Sequence, residues 1–574
     1  MRKFFPFVDW MPEYHKGYLV KDLVAGLTVG IILIPQGMAY AMVAGLPPVY
    51  GLYASVFPLL VYMFLGTSRQ LAIGPVAMDS LLVAAGLGAL AITGVENYIA
   101  MAIFLAFMVG SIQLLLGFLR MGFLVNFLSR PVISGFTSGA ACIIIFSQLK
   151  HLLGVDIERS SMMHELTYNV LQKIGDTNPY DFAIGVIGII VIVVLKKWSK
   201  KIPSVLIVVV LGVLAVYLMD LQEYGVQIVG EIPKGLPSFK LPDFDFEKGM
   251  ALWPMALTLA LVGYLETISI GKSMEEKNKE DRIDANQELV ALGASNIVGS
   301  FFQAYPVTAS FSRSAISGDA GGKTNGFALF SVILVVVTLL FLTPLFYYLP
   351  NAVLASIIMV SVFGLIDFGY PKTLLKYRKD EYVVLMLTFL ITLFVGIKEG
   401  VLIGVLISLL LMVYRISKPH FAVLGRVRGS DYYKNINRFG EDIEIRDDLL
   451  IVRFDSQLFF GNKNYFKKKL MQEVNAKGKA LKGVILNAEP MNYIDSTAAN
   501  MLISVIEELH HRDIQFYIAG AIGPIRDIIF SSGIIEVLGK DYLFVRTKEA
   551  VACFNNPESI RETNQKIAHQ RGFL

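Results

Sequence analysis

Charge is what this chain has least of. Only 17% of its 574 residues are Asp, Glu, Lys or Arg, against 55% hydrophobic, whereas a soluble chain carries about a quarter charged residues. A set of soluble globules is thereby excluded. Cysteine is scarcer still. Cys142, in an apolar run, and Cys553, near the polar C-terminus, are too few for a disulfide scaffold or a metal site and read as packing residues. The seven histidines show no ligand spacing beyond the adjacent His510 and His511, which decorate a solvated helix face. The excess of 51 basic over 47 acidic residues is too small to argue for a nucleic-acid partner. No cofactor and no metal is expected. The segment Phe4 to Trp10 is aromatic, broken by Pro6 and Asp9, and lacks the apolar core and cleavage site of a signal peptide. The first span is therefore expected to act as the insertion signal.

Long apolar runs are abundant. Charge-free stretches at Leu23–Ala44, Leu46–Ser68, Asn97–Leu119, Leu289–Ser312 and Thr324–Ile366 each suffice to cross ~30 Å of hydrocarbon as helix, the last of them twice. The expected class is a polytopic α-helical membrane protein in the lipid bilayer, with about fourteen helical elements, two of them short. Lys196, Lys197, Lys200 and Lys201 crowd one loop and Lys372, Lys376, Arg378 and Lys379 another, which places both in the cytoplasm. The loop Asp220 to Lys248, with six acids and three lysines, fits the outside. An even number of crossings leaves both termini cytoplasmic.

Composition changes near Pro419. The expected division is an N-terminal segment 1–20, a membrane domain 21–418, a linker 419–440, a soluble α/β domain 441–555 and a loose polar tail 556–574. In the soluble domain Leu449–Asp455, Val484–Asn487 and Gln515–Ala519 read as strands. Met501, Leu502, Val505, Ile506 and Leu509 share one helix face, and the N-cap cluster Asp495, Ser496, Thr497 starts that helix.

Two stretches break the spanning pattern. Arg69 to Pro75 is extended and ends in Gly-Pro, so Pro75 is expected to open a helix inside the membrane. Ala304-Tyr-Pro-Val-Thr308 is again extended before its proline, and Ala309 to Ala315 opens a second short helix. Paired broken segments in two halves, here 21–219 and 249–418, point to a transporter's binding site.

Three ionisable residues fall in apolar surroundings, where each needs a reason. Arg313 sits beside Ser310, Phe311, Ser312 and Ser314 at a helix opening whose free N–H groups favour an anion; its alternatives are interfacial snorkelling or an ion pair with Asp79 or Glu266. For Glu266 the alternative is a membrane-edge carboxylate, and for Asp79 a capping or packing one. Gln36 and Tyr40, one turn apart after Pro35, suit a cavity wall and interhelical hydrogen bonding equally. Ser317-Gly-Asp-Ala-Gly-Gly-Lys-Thr324 looks like a phosphate loop but lacks its leading Gly, so no enzyme is expected.

Asp22-Leu-Val-Ala-Gly-Leu27, Ile34-Pro-Gln-Gly-Met-Ala-Tyr40, Pro47 to Ser55, Gly66-Thr-Ser-Arg69, Ile73-Gly-Pro-Val-Ala77 and Asn286 to Asn296 leading into Ser310-Phe-Ser-Arg-Ser314 together resemble the sulfate permease (SulP) family of anion transporters. The soluble part resembles a STAS domain, with Asp495-Ser-Thr497 where anti-sigma-factor antagonists bear a phosphorylatable hydroxyl. The resemblance implies a seven-plus-seven inverted repeat, a core domain moving against a gate domain, a homodimer, and an anion site between two half-helices. It places Arg313, Ser312, Phe311 and Ser310 on one wall and Val76, Ala77, Tyr40 and Gln36 on the other, and it matches Glu266 to the carboxylate that plant proton-coupled sulfate transporters use. Sodium-coupled bicarbonate members have an Asp with a Thr one turn later and lack the arginine. This chain has Glu266, Ile270 and Arg313, which argues against sodium coupling. Leu33 stands where other members often have Gln or an acid, which removes one possible second proton carrier, and Thr497 replaces the more usual Ser of the regulatory site.

Charge arithmetic favours sulfate. Two half-helix N-termini contribute about +0.5 each and Arg313 +1, so the site offers roughly +2 when Glu266 is neutral. An ionised Asp79 would subtract one and favour a monovalent anion. Moving two negative charges inward against ~100 mV costs about 4.6 kcal/mol, and each proton carried along returns about 2.3. The expected function is proton-coupled sulfate symport in a cell inner membrane, with a cytoplasmic STAS partner; the alternatives are a chloride, bicarbonate or dicarboxylate exchanger, and an anion sensor or motor that moves nothing.

Overall fold

In hydrocarbon a chain must satisfy its own backbone N–H and C=O groups, so apolar runs become helices. The computed structural model describes residues 5–557 apart from 89, 91, 93, 124–128, 159, 161, 200–202, 243–245, 278–282 and 440–441. Lys200, Lys201, Asp243 and Asp245 of the two orienting loops, and the tail from 558, lie outside the described residues. Among the described residues seven helices are long and apolar enough to cross a membrane, and Val49–Leu65, Ala77–Gly88, Ser204–Leu218 and Asn351–Phe363 are shorter apolar helices. The chain divides into two units, Met1–Ser408 and Leu409–Leu574.

In the first unit, α1 (Lys16–Ala44) holds Pro35 in its interior and ends at Gly45, whose φ of +84° makes a left-handed cap. The proline has no N–H for the Ile31 carbonyl, yet the helix continues through Tyr40. The strand β1 (Ile73–Gly74) leads into α2 (Ala77–Gly88), followed by α3 (Val95–Phe118) and α4 (Arg130–Ser147). Later come α5 (Phe246–Lys277), α6 (Ala285–Phe301), the strand β2 (Thr308–Ala309) and α7 (Phe311–Asp319). Helices α3 and α6 cross at glycines: a Cβ on Gly293 would stand 2.8 Å from the Gly110 carbonyl oxygen. Only small residues allow that approach.

The break expected at Ala304–Thr308 is present: α6 stops at Phe301 and the chain stays extended through β2 before α7, since Pro306 holds the preceding residue out of the helical region. One expectation needs correction: Pro75 does not open its half-helix. The helix α2 begins at Ala77, the Val76 carbonyl accepts the Ser80 N–H at 3.0 Å, and Pro75 belongs to the extended approach.

The second unit is an α/β layer. Its sheet runs β4 (Tyr433–Asn435), β3 (Phe421–Val427), β6 (Leu449–Phe454), β7 (Gly483–Asn487), β8 (Gln515–Ala519), β9 (Leu543–Phe544), with β5 (Ile443–Glu444) paired to β3. The β3–β6 pair is antiparallel and the β6–β7–β8–β9 pairs are parallel. All five residues of β7 are buried, as a strand covered on both faces requires. The stretch 419–440, read from the sequence as a linker, contributes β3 and β4 to this sheet. The helix α8 (Ser496–His510) buries Met501, Leu502, Val505, Ile506 and Leu509. Cys553 is buried, Cys142 is half-buried, and neither forms a disulfide.

Candidate functional site

The two short strands pair antiparallel, Ile73 opposite Ala309 and Gly74 opposite Thr308. Two breaks far apart in sequence thus meet, and the N-terminal ends of α2 and α7 open beside one small ladder. Around it the chain spends its buried polar groups on holding loops. The Asn296 side chain on α6 accepts the Val307 N–H at 2.9 Å and donates to the Val307 carbonyl at 3.1 Å and to Gln113 Oε1 at 3.1 Å. Glu288, 1% exposed, accepts from Tyr62 Oη (2.8 Å), Thr67 N (2.8 Å), Thr67 Oγ1 (2.5 Å) and Ser68 N (3.3 Å), fixing the turn that leads into β1. Asp22 on α1 accepts from Lys323 N, Thr324 N and Thr324 Oγ1 at 2.7, 3.1 and 2.5 Å. The Lys323 and Thr324 N–H groups of the phosphate-loop-like run are therefore committed to a carboxylate.

Ser310 caps α7, its Oγ accepting the Arg313 N–H at 3.4 Å and lying 3.3 Å from Ser312 Oγ. Ser312 is exposed, as is Phe311. The Arg313 side chain turns the other way and is fully buried. Its Nε, Nη1 and Nη2 have no hydrogen-bond partner among the described residues, and no carboxylate stands at ion-pair distance. The structural ion pair with Asp79 or Glu266 is therefore absent. Gly74, with φ +153°, lies against the guanidinium: a Cβ there would stand 3.2 Å from Nη2. The positive φ favours glycine here, and any Cβ would also crowd the guanidinium. Tyr40 and Tyr305, both buried, lie within electrostatic reach of the same cation.

A cavity of about 230 Å³ is lined by Val76, Phe136, Glu266, Ala309, Phe311 and Leu365 among others. Glu266 is its one ionisable lining group among the described residues. The structure thus gathers Val76, Phe311 and Glu266 on one cavity and Arg313 with Tyr40 behind the ladder. Ala77 is buried at the first position of α2, and Gln36 is buried with Oε1 unpartnered.

The other proposed residues lie in the second unit. Asp495 caps α8, accepting from Ala498 N at 2.7 Å, Phe460 N at 2.8 Å and the exposed Thr497 Oγ1 at 2.8 Å. Partial burial pushes this carboxyl up, but those donors hold it below the usual carboxylate range. Ser496 is exposed. Reading from sequence missed Tyr305, whose hydroxyl lies 3.1 Å from Ser80 Oγ, and Thr308, which donates to the Gly263 carbonyl at 2.8 Å. The only signal for either was its place beside Pro306.

Comparison with known proteins gives the same two parts. The Sulfate permease family profile matches residues 19–388, and the STAS domain profile matches 442–551. The chain is 38% identical to sulfate transporter 4.1, chloroplastic, of Arabidopsis thaliana, over 99% of its own length and 85% of that protein's. It is 32% identical to the probable sulfate transporter Rv1739c of Mycobacterium tuberculosis, over 96% of this chain and 98% of the other. The structure of the murine Solute Carrier 26 family member A9 anion transporter in its inward-facing state superposes with a TM-score of 0.88 at 28% identity, covering 96% of this chain and 93% of that one.

Proposed function

Because this chain belongs to the sulfate permease family and carries a C-terminal STAS domain, we propose that it is a proton-coupled sulfate symporter. Anion transport is the common property of its relatives. The observation that carries the finer reading is Arg313, a buried guanidinium with three unpartnered nitrogens beside two helix N-termini. A buried cation without a partner is expensive, and a planar fork of donors suits an oxyanion. In this reading Ser310, Phe311, Ser312 and Arg313 form one wall of the anion site, and Gln36, Tyr40, Val76 and Ala77 the other.

Glu266 is the proton carrier in this reading. It lines the cavity, its Oε2 has no partner, and neutralising it leaves the site with the positive charge that a divalent anion needs. In proteoliposomes, Glu266→Gln should keep sulfate binding and sulfate–sulfate exchange. Accumulation driven by an inward pH gradient should fall by about tenfold per pH unit, the factor one proton contributes. An undiminished response would assign the proton elsewhere.

The positive loops around Lys196 and Lys372 support cytoplasmic termini in an inner membrane, and a homodimer is the expected assembly. Thr497 is the candidate regulatory position, with Asp495 and Ser496. A phosphate there would sit on the N-terminal turn of α8 but against the Asp495 carboxylate that its hydroxyl now contacts, and would displace that cap. Thr497→Asp should therefore alter transport or the capture of a cytoplasmic partner, and Thr497→Val should not. Identical behaviour of the two variants in both measurements would remove the regulatory role.

A further inference from the structure

Glu266, half-buried on the cavity wall, is not the only acid at this place. Asp79, in the first turn of α2, is 2% exposed, and its Oδ1 has no partner. The two carboxylates face one region. Gly263 lies one turn before Glu266 on α5, and a Cβ there would stand 3.6 Å from Asp79 Oδ2 and 3.2 Å from Thr308 Oγ1; Glu266 in turn feels the field of Asp79. No cation pairs with either among the described residues. Their surroundings are hydroxyls: Ser80 and Tyr305 at 3.1 Å from one another on the α2 side, Thr267 and Thr308 at 3.1 Å on the α5 side. Tyr305 stands within reach of both Asp79 and Arg313, whereas the ionisable neighbours of Arg313 are Tyr40 and Tyr305.

Two carboxylates that face one region with no cation between them are neutral, or are balanced by fixed positive charge. The balance closes in only one way. The N-termini of α2 and α7 supply about +0.5 each and Arg313 supplies +1, so the fixed charge is about +2. With sulfate bound and both acids protonated the sum is about zero. With the site empty and both acids ionised it is again about zero. If one acid alone titrates, either the loaded or the empty site is left with about one unbalanced charge. We propose that Asp79 and Glu266 together form a two-proton site, so that each sulfate enters with two protons and no net charge. Both protons are taken from the outer water as the anion binds and are released to the inner water with it.

The proposal rests on the symport reading above, and one experiment separates the two. The full chain is reconstituted in proteoliposomes, a pH gradient is imposed, the membrane potential is clamped with potassium and valinomycin, and radiolabelled sulfate is followed to equilibrium. The expected result is accumulation of about 100-fold per pH unit, a factor of about ten for each of two protons, with no dependence on the clamped potential. Asp79→Asn should reduce this to about tenfold per pH unit and make it sensitive to potential, with one negative charge moving inward. Wild-type accumulation of about tenfold per pH unit that varies with potential would overturn the two-proton site while leaving symport intact. So would an Asp79→Asn protein that behaves as the wild type. Absence of any accumulation at any pH gradient would overturn symport itself. The wild-type stoichiometry decides the matter even if Asp79→Asn fails to insert.

Discussion

Arg313→Lys should lower sulfate affinity by about 10- to 100-fold, although it keeps the charge, because a charge-assisted hydrogen bond is worth about 1.5–3 kcal/mol and lysine offers no planar fork. The shorter reach adds to the loss, since the guanidinium is anchored beneath Gly74 and an ammonium on a different stem meets other atoms. Arg313→Ala should abolish measurable uptake. Scintillation proximity binding with radiolabelled sulfate reads the affinity, and size-exclusion chromatography of the same sample reads the fold. A monodisperse Arg313→Ala protein with unchanged sulfate affinity would make the arginine a structural group, and the anion would have to be sought at Ser312 and Phe311 alone.

Glu288→Ala should damage the protein more broadly than any change at the cavity. The carboxylate takes four hydrogen bonds in a place closed to water, and its removal takes this acceptor away from Tyr62 Oη, the Thr67 hydroxyl and two backbone N–H groups. Stranding buried donors costs about 1–3 kcal/mol for each group left unsatisfied, with some relaxation expected. Thermal unfolding in detergent should then move down by roughly 10 °C or more. Glu288→Gln should fall between, because an amide oxygen in the place of Oε1 keeps the three donors that meet there while the NH2 group in the place of Oε2 can no longer accept from Tyr62 Oη. A melting temperature within a degree or two of wild type, at about the resolution of such scans, would mean that the turn at Gly66–Ser68 holds its shape without this residue. The turn feeds β1, so sulfate binding by the Gln variant should weaken even where it remains folded.

Much of this arrangement was legible in the sequence, and what was not has identifiable reasons. The two breaks declared themselves through Pro75 and Pro306, because proline restricts its neighbours locally. Their pairing did not, since a two-residue ladder carries no periodicity. The start of α2 was misplaced by two residues because the choice between Pro75 and Ala77 is made by the strand across the ladder, not by the helix. The strands β3 and β4 were hidden by Lys418, Pro419 and His420, whose polarity reads as a linker although Ala422 and Leu424 alternate inward. Glu288 and Asp22 were visible as parts of recurring motifs, but their work as loop clamps depends on partners some 220 and 300 positions away. Arg313 was found by its chemistry. That its head lies behind Gly74 and not in the open cavity is decided by the tertiary packing of α1 and β1.

The small ladder between residues 73–74 and 308–309 has a further consequence for how a cargo is handed across. Hydrogen bonds tie the floors of the two half-helices together, so their tips cannot part without breaking the ladder. In the proposed anion site an ion meets the same ladder and the same two helix ends whichever compartment it came from, so the direction of net movement would be set by the gradients the protein is placed in.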